Sequence, residues 1–308
     1  IGGIKTFQDE VDNFVTNDRN PRFNPFFIPK MISDICAGLI SIKYGFRGPN
    51  FVTVSACASA TNALIDAYNY IRLGKADVFI SGGSEASVTE SGIGGFNAMK
   101  ALSERNDDYS TASRPFDKDR DGFVLGEGGA ALILEEYEHA VARGAKIYAE
   151  VIGGGMSADA HHMTAPHPEG LGATNVMKYA IEDAEIDPTE VDYINVHGTS
   201  TPLGDLSESR AIKKVFGEHA YNLNISSTKS MTGHLLGAAG AIEALACIFA
   251  LEKQMVPPTI NHFTDDEEFD SKLNFTFNKA QQREVKTVLS NTFGFGGHNT
   301  SIILRKLD

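Results

Sequence analysis

Residues 51–85 read FVTVSACASATNALIDAYNYIRLGKADVFISGGSE, and this stretch decides the fold. The β-branched run Phe51 to Val54 predicts a strand. Small residues, Ser55 and Ala56, end it, and Cys57 follows. A helical pattern then runs to about Leu73 and stops at Gly74. A second apolar strand, Ala76 to Ser81, closes the unit. A cysteine at a strand-to-helix corner points its sulfur out of the turn. Unpaired N–H groups and the dipole at the helix start favour a thiolate there. The plain alternative is a buried structural cysteine.

The same alternation continues on both sides. A helix is predicted over 29–43, followed by the turn-rich GFRGPN. Residues 94–121 read as polar loop. GGAALILEEYEHAVARG runs strand into helix, and 146–155 reads as another strand. Helix–strand pairs follow in GATNVMKYAIEDAEI with DYINVHG, and in DLSESRAIKKVFG with NISSTK. The apolar helix LLGAAGAIEALACIFALEKQ comes next, and TVLSNTFGFGGHNTSIILRK ends the chain as a strand pair. Such βα alternation predicts a layered α/β fold. A strand, a small polar corner and a helix occur at Cys57 and again from Ser226 through His234, which suggests a duplicated unit.

Bulk properties narrow the class. The chain has 308 residues, 42% hydrophobic and 22% charged, as a globular protein of one large domain or two packed halves would. A net charge of −13 argues against general nucleic-acid binding. No apolar run is long enough to span a bilayer, so membrane insertion is not expected. Cys36, Cys57 and Cys247 form no CxxC or metal spacing and suit the reducing cytoplasm as free thiols. The chain opens at Ile1 without methionine, in IGGIKTF, as the middle of a longer protein does.

Two histidines stand apart from the other seven. His197 ends the apolar strand Tyr193–Val196 and precedes GTSTPLGD. His234 lies between a loop and a helix start in STKSMTGHLLGAAGA. Polar, Gly-rich loops at the carboxyl ends of strands are where α/β sheets bind ligands. Gly294, Gly296 and Gly297 do not form a nucleotide loop, because they sit inside a terminal strand pair.

SACASA, NVHGTSTPLGD, STKSMTGHLLGAAGA and SNTFGFGGHN occur in one order, with IKYGFRGPN before them and SRPFDKDRDGFVLGEGG between the first two. Together they resemble the β-ketoacyl-acyl-carrier-protein synthases, the condensing enzymes of type II fatty acid synthesis, over essentially the whole chain. The resemblance implies a thiolase-like fold of duplicated halves in a layered αβαβα sandwich. It places the N-terminal half at 1–145 and the C-terminal half at 146–308, with roughly the first quarter of the family chain upstream of Ile1. It implies decarboxylative condensation of an acyl thioester with malonyl-acyl carrier protein.

Roles follow from the same resemblance. Cys57 is the nucleophile, and the N–H groups of Cys57 and Phe295 form the oxyanion hole. His197 and His234 stabilise the enolate left by CO2, and Lys229 orients His234. Ile1, Phe96, Phe293, Thr199, Thr201 and Gly296 bind substrate. Arg22, Lys100 and Arg105 dock the acyl carrier protein with its phosphopantetheine arm. No cofactor is required, although Asn195, Glu243, Ser290 and Asn291 match positions that hold a monovalent or small structural cation. For Glu243 the alternative is a buried carboxylate paired with donors. The resemblance also implies a homodimer. His298 departs from the family, which commonly has Thr after GFGG. A degradative thiolase is disfavoured because SNTFGFGGHN holds no second cysteine. A fragment or partner subunit that only binds carrier protein is the remaining alternative.

Overall fold

The computed structural model describes residues 1–307. Three helices open the chain: α1 (Ile4–Thr16), α2 (Phe27–Met31) and α3 (Ile35–Tyr44). None of them buries a residue completely. The helix expected over 29–43 is thus split. Its break falls at Ile32, whose extended backbone (ψ 143°) ends α2.

Phe51–Val54 joins no ladder among the described residues, so the expected strand is absent. Val54 is 73% exposed, with no strand beside it to cover it. The rest of the unit forms as read: α4 (Ser59–Arg72), then β1 (Val78–Glu85). Helix α5 (Glu90–Ala98) takes the start of the stretch expected to be loop. Thr89 caps it, its hydroxyl accepting the Gly92 N–H at 3.0 Å. Strand β2 (Gly128–Glu135) returns antiparallel to β1, and α6 (Tyr137–Ala142) follows.

The C-terminal elements are β3 (Glu150–Ala158), α7 (Leu171–Asp183), β4 (Tyr193–Asn195), α8 (Pro202–Phe216) and β5 (Asn224–Ser226). They continue with α9 (Lys229–Thr232), α10 (Ala239–Lys253), the short β6 (Met255–Val256) and β7 (Gln281–Gln282), β8 (Thr287–Gly294) and β9 (His298–Arg305). Five of the strands form one sheet in the order β3-β9-β8-β4-β5. Strand β8 is central, parallel to β4 and antiparallel to β9. Its first six residues are fully buried, as expected of a strand covered on both faces.

Layers stack across this sheet. Helices α7 and α8 cover one face, and their apolar residues join Ile194, Ile225, Leu289 and Ile303 in the largest core cluster. Helices α4 and α10 lie between the other face and the β1–β2 pair. There Leu64, Ile65, Ala244, Leu134 and Ile302 pack together. The two middle helices touch closely because Gly240 has no side chain. A Cβ there would meet the Thr61 hydroxyl at 2.0 Å. Thr61 also hydrogen-bonds Thr292 of β8, so both middle helices register on the central strand.

Candidate active site

The Cys57 corner is a tight turn held from within. Ala56 adopts a left-handed conformation, φ 52°, and a 3₁₀ turn over Ala56–Ala58 leads into α4. The Ser59 hydroxyl accepts the Ser55 N–H at 2.9 Å and donates to Ala56 O at 2.6 Å. The Ser55 hydroxyl donates to Asn62. A non-glycine residue at positive φ stores strain, which these bonds offset. Gly294 lets the end of β8 press against this corner. A Cβ there would stand 2.5 Å from Ser55 O and 3.1 Å from Cys57 N. Phe295, the next residue, therefore joins the apolar cluster around Cys57, with Phe96, Phe123 and Leu236.

His234 reaches the sulfur. Its Nε2 lies 3.1 Å from Cys57 Sγ. Its backbone is clasped by the loop before β2: His234 N–H donates to Val124 O at 2.7 Å, and Gly126 N–H donates to His234 O at 3.0 Å. The Phe123 ring meets the imidazole edge-on at 5.2 Å between centroids. His197 stands beside His234, 5.3 Å between ring centroids and nearly perpendicular. Phe293 packs against its other side at 5.5 Å.

The His197 loop hangs on two buried carboxylates that sequence reading passed over. Glu208 accepts the N–H groups of His197 and Gly198, each at 2.9 Å, and the Asn291 amide at 3.1 Å. Asp205 accepts the N–H groups of Phe116 and Ser200. Burial pushes Glu208 up to about 7 and Asp205 up to about 6, against the N–H donors that pull each down. The segment 112–126 thus braces both histidine loops, since Arg114 N–H also donates to the Ser200 hydroxyl and Gly122 N–H to Ser200 O. A charged pair in SESR looks like solvated helix surface, so no local signal marked Glu208.

Lys229 is fully buried and ion-paired with Glu243. Its charge acts on Cys57, His197 and His234 alike. Burial, then Lys229, holds both His197 and His234 well below the ordinary imidazole range. Both rings are therefore neutral at pH 7. Burial pushes the Cys57 thiol up to about 11, and Lys229 pulls it back. Lys229 thus opposes desolvation at the thiol, while the Glu85 and Glu243 carboxylates add to it.

The other expected residues are distributed as follows. Phe96 is buried and meets Phe123 edge-on at 5.3 Å. The Thr199 and Thr201 hydroxyls lie 3.0 Å apart on the loop after His197. Gly296, at φ 90°, donates its N–H to Met163 O at 2.7 Å. Ile1 is 53% exposed and lies outside the apolar cluster of Cys57. Lys100 and Arg22 are exposed. Arg105 is half-buried, and its guanidinium donates to Asp119 O. His298 is exposed, with its ring over Gly296, and it lines a cavity of about 280 Å³ with Ser55 and Asn62.

Of the four residues matched to a cation, three have unpartnered buried oxygens: Asn195 Oδ1, Glu243 Oε2 and Ser290 Oγ. Asn195 and Ser290 are opposite residues on β4 and β8. This all-oxygen set fits a hard cation. Asn291 is already engaged, donating to Glu208 and accepting from Ser301. No group of three or more His, Cys, Asp or Glu suited to a metal occurs among the described residues, and no helix there is long and apolar enough to cross a membrane.

Comparison with known proteins gives the family. Residues 2–140 match the β-ketoacyl synthase N-terminal domain, and residues 148–263 match the C-terminal domain. The chain is 51% identical over 308 residues to 3-oxoacyl-[acyl-carrier-protein] synthase 2 of Coxiella burnetii, and 50% identical over 307 residues to that of Synechocystis. It spans 100% and 99% of itself in these matches, and 73% of each relative. A β-ketoacyl synthase from Burkholderia phymatum superposes with a TM-score of 0.92 at 37% identity, over 100% of this chain and 73% of that one. A ketosynthase solved with its type II PKS acyl-carrier protein superposes at 0.94 and 37%, over 99% and 76%. The chain therefore belongs to the β-ketoacyl synthase family, the condensing enzymes built on the thiolase-like fold.

Proposed function

We propose that the groups gathered at the Cys57 corner divide one condensation between them. The chain is an elongating condensing enzyme of type II fatty acid synthesis. The observation that carries the residue assignment is the contact of His234 Nε2 with Cys57 Sγ beside His197. In the first step the Cys57 thiolate attacks an acyl thioester. The bond from the acyl carbon to the carrier sulfur breaks, the carrier thiol leaves with the proton that Cys57 gave up on ionising, and an acyl-Cys57 thioester remains. The tetrahedral oxyanion is held by the N–H groups of Cys57 and Phe295. In the second step the malonyl thioester loses CO2, and its C–C bond electrons become an enolate. Neutral His197 and His234 each give an N–H to that oxygen. Lys229 favours this step twice, by keeping both rings neutral and by adding positive potential. In the third step the carbanion attacks acyl-Cys57, and collapse returns the thiolate and releases 3-oxoacyl product.

Substrate and partner sites follow the same reading. The arm of the acyl carrier protein runs past Thr199 and Thr201, and the acyl tail enters the chamber of Phe96, Phe123 and Phe295. Phe293 and Gly296 flank the entrance, and Ile1 lies toward the far end of the tail, where a second copy of the chain completes the site as a homodimer. Lys100, Arg105 and Arg22 receive the acidic carrier. No cofactor takes part in the reaction. A small structural cation on Asn195, Glu243 and Ser290 would supply positive charge to three buried oxygens. The enzyme works in the cytoplasm.

The test is mass spectrometry after incubation with an acyl-acyl carrier protein. The expected result is a single acyl adduct on Cys57. No adduct with carrier binding intact would favour a binding-only subunit.

A further inference from the structure

Residues 196–201 carry the chain from β4 into α8, and Ser200 within them is left-handed at φ 70°. A serine keeps that conformation only where its surroundings impose it. Asp205 accepts the Ser200 N–H at 3.2 Å and the Phe116 N–H at 2.9 Å. This carboxylate is fully buried, and the cation paired with it is Arg120, itself buried, at 3.8 Å. The guanidinium is fixed on its other sides. It donates to Pro202 O at 3.0 Å, to Asp117 O at 2.9 Å and to Asp266 at 2.7 Å, and it lies over the Phe269 ring. Pro202 opens α8, so one side chain grips the end of the loop directly and Ser200 through Asp205. Thr199 and Thr201, their hydroxyls 3.0 Å apart, stand on either side of Ser200.

We propose that Arg120 is a positioning residue for substrate binding: it holds Ser200 and the start of α8 so that Thr199 and Thr201 face the arm of the carrier thioester. The inference rests on the reading of these two threonines as contacts of the arm. Arg120 acts on them through Asp205 and the Pro202 carbonyl. Without a cation beside it, Asp205 is a buried charge left unpaired, and its hold on the strained turn weakens. A lysine restores the charge but not the planar fork that reaches Pro202, Asp117 and Asp266 together. His197 and Gly198 hang separately on Glu208. The loop therefore has two supports, Glu208 for the imidazole and Arg120 for the arm contacts.

The test uses Arg120→Met and Arg120→Lys in the full chain, with Thr199→Ala as reference. Acylation of Cys57 is followed by mass with two donors of the same acyl group: acyl-pantetheine, and the acyl ester of ethanethiol, which has no arm. Arg120→Met should raise KM for acyl-pantetheine about threefold to tenfold, the size of one lost hydrogen bond, with the maximal rate unchanged. The ethanethiol ester should react as with the wild type. Arg120→Lys keeps a cation beside Asp205 and so guards against misfolding. It should show the same selectivity at smaller size. Equal losses with both donors overturn the proposal, and so does an unmoved pantetheine KM in both Arg120 variants when Thr199→Ala raises it. Hydrogen exchange is the second readout. The Ser200 and Phe116 amides should lose about threefold or more of their protection in the Arg120 variants, while the His197 and Gly198 amides keep theirs. An unchanged Ser200 amide overturns the proposal. Exchange as expected, with the pantetheine KM unmoved in Arg120→Met and in Thr199→Ala alike, would leave the hold on Ser200 standing and overturn the threonines as arm contacts.

Discussion

The molecule makes the same corner twice and uses it differently. Before α4, Ala56 turns left-handed at φ 52°, a 3₁₀ turn follows, and Cys57 sits inside it. Before α10, Leu236 turns left-handed at φ 45°, a 3₁₀ turn follows, and Gly237 holds the equivalent place. The two helices lie side by side through Gly240 and Thr61. One corner presents a thiol, that of Cys57. The other presents only backbone, and its Gly237 N–H donates to buried Glu85 at 3.2 Å. Its chemistry sits three residues earlier, on His234. The difference shows that the turn supplies position, while the residue placed on it supplies reactivity.

The comparison breaks most completely at Cys57→Ala. That variant should lose acyl transfer entirely with an unchanged circular dichroism spectrum, and condensation at the wild-type rate would remove the first corner's special status. Titrating the sulfur comes next. A thiol raised to about 11 by burial is protonated at neutral pH. Alkylation of Cys57 by a small haloacetamide should therefore climb about tenfold per pH unit from neutrality upward. A plateau near pH 7 would mean that the helix start alone makes the thiolate.

Replacing His197 or His234 with Ala should cut malonyl decarboxylation by about tenfold to a hundredfold, the scale of one preorganised donor. Acyl-Cys57 should still form in at least one of the two, as adduct mass will report. Loss of acylation with decarboxylation intact would reverse the roles of the two corners. Gly294→Ala drives a Cβ into the first corner, so thermal or denaturant unfolding should show a loss of about 1–3 kcal/mol. Gly237→Ala should do least. Its Cβ would meet Glu85 at 3.3 Å and little else, so stability should stay within about 0.5 kcal/mol. A large loss there would show that the second corner is as tightly built as the first.

Much of this was legible from the chain. Cys57, His197 and His234 each stand where an element ends among Gly, Ser and Thr, and that local grammar survives folding. The alternation of strands and helices was readable because α7 and α10 each carry the helical period of their own burial. Phe51–Val54 misled because a β-branched run reports capacity for a ladder, not the presence of a neighbour. The helix over 29–43 misled because apolar content hid the extended residue at Ile32. Glu243 was foreseen as a buried carboxylate paired with donors but not as the partner of Lys229, and the grip of Glu208 on the His197 loop was out of reach. Both depend on a charged side chain meeting its partner on a different element, and a charged residue within a helix has the same local appearance whether it faces water or a buried donor.

The segment 112–126 has a consequence for recombining such enzymes. It clasps the backbone of His234 and braces the loop of His197, yet it precedes both by a long stretch of chain. His197, His234 and their clasp therefore travel as one inheritance unit that is interrupted in sequence. A chimera that takes both histidine loops from one relative and residues 112–126 from another would carry every reactive group and still misplace the pair.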